Sequence, residues 1–492
     1  MSPAPRIAAP STVAASALAG GLAQLATELE LPGPFAADAQ AEATAATADG
    51  LAANRPTLVG GNAREDHTDL PLVTLDPLGS RDLDQAFAIE PAEAGGTRLH
   101  YAIADVAAHV AHGGAIDAES RRRGETIYLP GRRLPLHPPE LSEGAASLLP
   151  GERRLAVLWS IEVDAAGDLR ETQVRRAVVR STAQLDYASA AAALAAGTPH
   201  PQIAALADLG PRLVATALRR GAIDLPEPEQ ELVDDGAGGF TVSWLPRDPV
   251  EDWNAQLSLL TGRAAARVML EGRSGLLRTL PPPPPDAEPR LRTVAAALQV
   301  DWPAGEALST RLARLDPGAA PDLALMDAAR TLLRGAGYLP LTGQTPEPGT
   351  ELHAAVAAPY AHVTAPLRRL ADRFATECAL AVAAGVEPPD WATAALPDLP
   401  TTMTAAGRRS GAVARGVIDL AEAIVLAPHV GETYDAAVVA VTPKAAEIRL
   451  DDPPVQGRAD PAGLVAGSRR RVVLVSADPG KRSVRFAAAA AD

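Results

Sequence analysis

The segment Thr74-Leu75-Asp76-Pro77-Leu78-Gly79-Ser80-Arg81-Asp82-Leu83-Asp84-Gln85-Ala86 constrains this chain more than any other. Three carboxylates fall within nine residues, around a Pro/Gly/Ser turn and between two apolar runs. Leu70 to Leu75 reads as a buried strand, and Phe87 to Glu90 as the start of the next. Side chains alternate faces in an extended segment, so Asp82 and Asp84 project the same way, and a hairpin brings Asp76 opposite them. Close like charges repel, and a hard divalent cation, chiefly Mg²⁺ or Mn²⁺, relieves them. Spacing alone leaves two readings open, a cation site and a solvated acidic loop.

At 492 residues the chain has room for two to four domains of about 150 residues each. Hydrophobic residues make up 47% and charged ones 21%, the balance of a globular protein. The single cysteine, Cys378, excludes an intramolecular disulfide and Cys-rich zinc sites, which fits a reducing cytoplasm; it reads as a small buried helix residue. No basic start leads into a Leu-rich run, and no stretch of about 18 apolar residues lacks charge, so neither a secretion signal nor a membrane span is expected. A net charge of −15 argues against indiscriminate coating of nucleic acid but leaves room for a local basic channel. Lys444 and Lys481 are the only lysines among 45 basic side chains, and arginine's planar fork suits phosphate.

Along the chain, Ala-rich helical stretches (Thr12 to Leu29, Ala36 to Ala53) occupy residues 1–67. Short strands dominate from Thr68 to Val110, and Leu155 to Val163 and Gln173 to Val179 read as two more, joined by a turn at Asp164 to Asp168. Helices are expected over Tyr187 to Ala196, Pro201 to Arg220, Glu251 to Leu270, Asp322 to Gly335, Ala365 to Ala384 and Thr401 to Leu426. Pro281 to Pro285 reads as a solvent-facing polyproline connector. After Pro428 the pattern turns to short alternating strands, Tyr434 to Val441, Ala446 to Leu450, Arg470 to Val475 and Ser483 to Phe486, as in a small OB or S1-type barrel. Between Ser468 and Phe486, six cations face the one carboxylate Asp478, a local reversal of sign that favours RNA contact. The expectation is an α+β fold in three parts: a helical N-terminal region 1–67, a mixed sheet packed with helices at 68–428, and a C-terminal barrel at 429–492.

The wording of four blocks goes beyond spacing. Asp-x5-Asp-x-Asp-x-Ala after a Val-Thr-Leu strand resembles the first signature of the ribonuclease II (RNB) exoribonuclease family. Tyr101-Ala102-Ile103-Ala104-Asp105-Val106 is similar to its Ile-Ala-Asp-Val strand. Arg121 to Leu148, with Arg122-Arg123-Gly124, Tyr128-Leu129-Pro130, Pro135, Pro138, Glu140-Leu141-Ser142 and Ser147-Leu148, resembles the next block. Tyr360-Ala361-His362-Val363-Thr364-Ala365-Pro366-Leu367-Arg368-Arg369-Leu370-Ala371-Asp372 is similar to the family's Tyr-x-His-x-Thr-Ser-Pro-x-Arg-Arg-Tyr-x-Asp. The blocks run in the family's order over residues 68 to 425, as in a short form without the paired N-terminal cold-shock barrels, for which 67 residues are too few.

Hydrolysing a phosphodiester needs an in-line water, a stabilised 3′-oxygen leaving group and neutralised phosphoryl charge; two carboxylate-held cations about 4 Å apart serve all three. The resemblance assigns Asp76, Asp82 and Asp84 to this task, with Asp84 at the acid the family can least lose. The family's fourth acid is Gln85 here, an oxygen ligand without charge, and Ala414 stands where the family has an active-site glutamate. Arg368 matches the arginine that holds the terminal phosphate, next to an expected helix N-terminus. Tyr128 matches the tyrosine that stacks on the 3′-terminal base. Arg369 reads equally as an RNA-backbone contact and as a structural ion pair; His362 as an RNA neighbour and as a structural residue. Arg121, Arg122, Arg123, Arg132 and Arg133 against Glu125 read as channel lining or as solvated helix charge. The resemblance implies a Mg²⁺-dependent (or Mn²⁺-dependent) 3′-to-5′ exoribonuclease that releases nucleoside 5′-monophosphates in RNA degradation or processing, a cytoplasmic monomer whose partner is RNA. Gln85 and Ala414 motivate a second reading, an RNB-fold RNA-binding protein with lost or weak catalysis.

Overall fold

The computed structural model describes residues 12–52, 59, 64–226, 229–234, 240–245 and 248–489. Parts of the expected N-terminal region, residues 1–11, 53–58 and 60–63, lie outside them.

A seven-stranded mixed sheet forms the centre. Its strands are β1 (Glu65–His67), β2 (Val73–Asp76), β3 (Gln85–Pro91), β4 (Thr97–Ala104), β7 (Arg153–Val163), β8 (Leu169–Arg180) and β9 (Ala183–Asp186). Two short strands, β5 (Ile127–Leu129) and β6 (Arg132–Leu134), make a separate hairpin. The order in the sheet is β1-β8-β7-β4-β3-β2-β9, parallel at its two outer pairs and antiparallel within. Register follows the two-residue period of the apolar side chains. Phe87, Tyr101 and Trp159 stand opposite one another across β3, β4 and β7, on the face covered by the helices Pro201–Arg220, Pro249–Gly272 and Leu370–Ala384. Each such aromatic, fully buried, contributes about 2 kcal/mol. Their neighbours Ala86, Ala102 and Leu158 form the opposite face, where small side chains let Ala39 and Ala43 of the helix Ala37–Asp49 approach.

The two N-terminal helices are therefore part of the body. The helix Thr12–Glu28 inserts Leu18, Leu22 and Leu25 against Val413, Val417 and Leu420 of the long helix Leu399–Leu426. At the far end of that long helix, Ala423 and Leu426 enter the core of a closed five-stranded barrel. Four of its strands were expected; the fifth, Gln456–Ala459, is short and polar with a central glycine, which hid it.

Two expected boundaries are corrected. The strand expected from Leu70 is β2 and begins at Val73, because Leu72 N turns back to Leu70 O at 2.8 Å. The helix expected from Ala365 begins at Leu370, because carboxylates capture its first amides: Ala365 N donates to Asp372 Oδ1 and Leu367 N to Asp84 Oδ1, both at 2.7 Å. The five-proline run is a largely exposed, irregular connector. Among the described residues no helix is long and apolar enough to cross a membrane.

Candidate active site

β2 delivers Asp76 at its last position and β3 starts one residue after Asp84. The two strands pair only at Val73 and Phe87, so they splay apart and the acid loop fills the gap. Gly79, at φ 83°, supplies the left-handed turn within it. Leu83, fully buried between the two aspartates, anchors the loop: its N–H donates to Ser147 Oγ at 3.0 Å, Ser147 Oγ donates to Arg81 O at 2.6 Å, and Leu148 N donates to Leu83 O at 3.0 Å. The Ser147-Leu148 motif thus clamps the acid loop, a role that sequence reasoning missed although the motif itself was visible.

The segment Tyr360 to Arg369 closes the other side. Asp84 Oδ1 accepts from Leu367 N, and Arg368 Nε lies 3.4 Å from Asp84 Oδ2. Thr126 N donates to Arg368 O at 2.9 Å and Leu370 N to Gly124 O at 3.0 Å. Gly124 has φ 75°, and a Cβ there would meet the Ala406 Cβ at 2.5 Å, so glycine is required. Arg368 remains 32% exposed while Asp84 is 4% exposed, so the guanidinium lies over the acid and faces outward. Tyr128, on β5, reaches Asp82 Oδ2 with its hydroxyl at 3.5 Å. Asp76, Asp82, Asp84, Arg368 and Tyr128 thus meet in one place.

Burial pushes the Asp76 carboxyl up to about 7, against Arg368 and reinforced by Asp82. Burial also holds Asp84 well above the usual carboxylate range, opposed by Arg368 and the Leu367 amide. Among the described residues no three His, Cys, Asp or Glu side chains gather closely enough to hold a metal ion. A smaller donor set fits one hard cation. Asp84 Oδ2 is buried without a hydrogen bond, and the half-buried Asp76 carboxyl carries a charge that its surroundings disfavour.

The other expected ligands are turned elsewhere. Gln85 opens β3, and its side chain is spent on protein partners. Its Nε2 donates to Thr364 O, and its Oε1 accepts from Tyr101 OH at 3.4 Å. Asp82 Oδ1 is paired with Arg133 Nη1 at 2.5 Å. Arg369 takes the structural alternative, forked onto buried Asp372 at 2.5 and 2.8 Å. So does His362, half-buried with its Nδ1 2.8 Å from Tyr338 OH. Arg123 is buried over the Phe35 ring and paired with Glu119, and Arg121 pairs with Asp117, whereas Arg132 is exposed and Arg122, itself exposed, pairs with Glu119. Ala414 is exposed on the long helix and offers no functional group.

In the barrel, Arg469 pairs with Asp451 and Arg482 with Glu28, while Arg470 and Arg485 are exposed.

With this geometry in hand, comparison with known proteins defines the class. The RNB domain family matches residues 64–378, and the RNase II-type exonuclease C-terminal S1 domain matches residues 432–489. The chain belongs to the RNB family. It is 28% identical over 413 residues to ribonuclease R of Escherichia coli K12, covering 79% of this chain and 50% of that protein. The chain spans about half the length of the curated relatives it matches, or less. Its fold superposes on the apo form of Mycoplasma genitalium RNase R with a TM-score of 0.82 at 20% identity, over 96% of this chain and 78% of that one. It also superposes on yeast Ssd1, described as a pseudonuclease, with a TM-score of 0.66 at 16% identity, over 85% of this chain and 52% of that one.

Proposed function

We propose that the chain is a 3′-to-5′ exoribonuclease that hydrolyses RNA with Mg²⁺ or Mn²⁺ and releases nucleoside 5′-monophosphates in RNA degradation or processing. One observation carries this reading: Asp76, Asp82 and Asp84 converge with Arg368 and Tyr128 at a single site, half-buried around the buried Asp84, in a chain of the RNB family. Arg368, outward over Asp84, grips the phosphate of the terminal nucleotide, and its fork fixes the phosphorus in place. Tyr128 stacks on the 3′-terminal base, a contact indifferent to sequence. Asp76 and Asp84 hold the cation, with Asp84 fixed by the Leu367 amide so that Oδ2 stays aimed at the site. When bound, the cation supplies an activated water and offsets charge on the leaving 3′-oxygen. Partial desolvation of both acids strengthens every charge contact there. RNA is the partner; the chain works as a monomer in the cytoplasm.

A second reading is favoured by Gln85, Ala414 and the Asp82–Arg133 pair, which together leave the centre poorer in free acids: an RNB-fold RNA-binding protein with lost or weak catalysis. Incubating 5′-labelled oligoribonucleotide with the chain and Mg²⁺ separates the two. A descending ladder is expected; tight binding of intact RNA would favour the second reading.

A further inference from the structure

The hairpin β5–β6 sets Tyr128 directly opposite Arg133, so both side chains reach the acid loop together. Arg133 is bound as a fork. Its Nη1 lies 2.5 Å from Asp82 Oδ1, its Nη2 2.7 Å and its Nε 3.0 Å from Glu143 Oε1. Arg81 Nε stands 3.7 Å from Glu143 Oε2, so Glu143 has a second cation and Arg133 is not needed to balance it alone. The three side chains Arg133, Asp82 and Glu143 are 26%, 13% and 20% exposed, less than the fully exposed surface pairs that fray. Asp82 is thereby engaged at both oxygens, Oδ1 by Arg133 and Oδ2 by Tyr128. Gln85, the remaining family-implied ligand, is tied to the Thr364 carbonyl and Tyr101. Two of the four expected ligands are thus committed to protein partners, and one of those partners is a permanent positive charge. The Tyr128 hydroxyl lies within electrostatic reach of Arg368, Asp82, Asp84 and Arg133, so the second guanidinium stands beside the place where Arg368 meets phosphate.

We propose that Arg133 is a resident cation of this centre: it neutralises Asp82 in place of a second metal, so that the chain takes one divalent cation, on Asp76 and Asp84. This rests on the metal-dependent reading above. Arg133 is a positioning residue, acting through Asp82 and Tyr128. It also accounts for Gln85, since a centre that holds one metal has no use for a fourth acid.

The test is the number of Mn²⁺ ions bound by the full chain, counted from the loss of free-ion electron paramagnetic resonance signal and checked by calorimetry. One Mn²⁺ is expected for the wild type. Arg133→Gln, which frees Asp82, is expected to bind two, and Arg133→Lys, which keeps the charge, one. Asp82→Asn is expected to keep the single Mn²⁺, and Asp84→Asn to lose it; these two arms hold even if Arg133→Gln does not fold. A folded Arg133→Gln chain that still binds one, or an Asp82→Asn chain that binds none, overturns the proposal. Two Mn²⁺ on a wild-type chain that shortens RNA overturns this proposal alone, whereas a wild type that binds none overturns the metal-dependent reading as well.

Discussion

At the scale of single residues, the site turns on which oxygen atoms are free. Asp84 spends Oδ1 on the Leu367 amide and keeps Oδ2 free of hydrogen bonds, with only the Arg368 charge 3.4 Å away, so one oxygen positions the side chain and the other is open to the proposed cation. Asp84→Asn preserves the positioning oxygen and removes the charge. Turnover should fall on the order of a hundredfold or more, while RNA affinity, spread over many phosphates, stays near wild type. Half of wild-type turnover in that variant would show that Asp84 is not at the chemistry. The three aspartates were legible because acid spacing and flanking strands are local features of sequence. The fates of Arg133 and Gln85 were not. Arg133 lies 51 residues from Asp82, and Gln85 reaches a carbonyl 279 residues away, so only the folded chain pairs them.

At the scale of elements, the long helix Leu399–Leu426 is the spine that joins N-terminal helix, central body and barrel. Leu25, 3% exposed on the N-terminal helix, packs into this junction; Leu25→Ala should cost about 2 to 4 kcal/mol, read as a lower denaturation midpoint. If the midpoint did not move, the helix Thr12–Glu28 would be a loose appendage. Glu422 on the same spine accepts from Gln456 N at 2.9 Å and Gln230 Nε2 at 2.8 Å. Burial nevertheless pushes its carboxyl up to about 7 from an ordinary 4.5. A raised acid binds its proton more tightly when folded, so it costs nothing below the unfolded value and weakens the fold as pH climbs through 7. Glu422→Gln should therefore match wild type at pH 4.5 and be more stable at pH 8, by up to roughly 3 kcal/mol. Equal melting curves at both pH values would contradict this. Helices and barrel strands were legible from period and turn residues. The start of the helix Leu370–Ala384 was not, because the competing acceptors, Asp84 and Asp372, act through tertiary contact.

At the scale of the whole molecule, the proposed RNA path must coexist with a net charge of −15. Of the six cations in the barrel's basic segment, Arg469, Lys481 and Arg482 are paired with acids and Arg471 is also engaged; exposed Arg470 and Arg485 are the candidates to meet phosphate. Replacing both by glutamate should raise KM for long RNA and lessen the salt slope of binding by about 0.7 per lost single-strand contact, while sparing a short oligomer held by Arg368 and Tyr128. An unchanged slope would remove the barrel from the RNA path. The C-terminal barrel was visible as a change of texture in the sequence, whereas the docking of the helix Ala37–Asp49 on the central sheet was not, since alanines on both sides of that contact carry no distinctive pattern. The central claim is hydrolysis from the 3′ end by the Asp84 centre. It is tested most directly by digesting an oligoribonucleotide in ¹⁸O-water with Mg²⁺ and weighing the products by mass spectrometry. The account predicts nucleoside 5′-monophosphates carrying one ¹⁸O on phosphorus from the wild type, and no release from Asp84→Asn. Intact RNA with the wild type, nucleoside 3′-phosphates, or undiminished release from Asp84→Asn would contradict it.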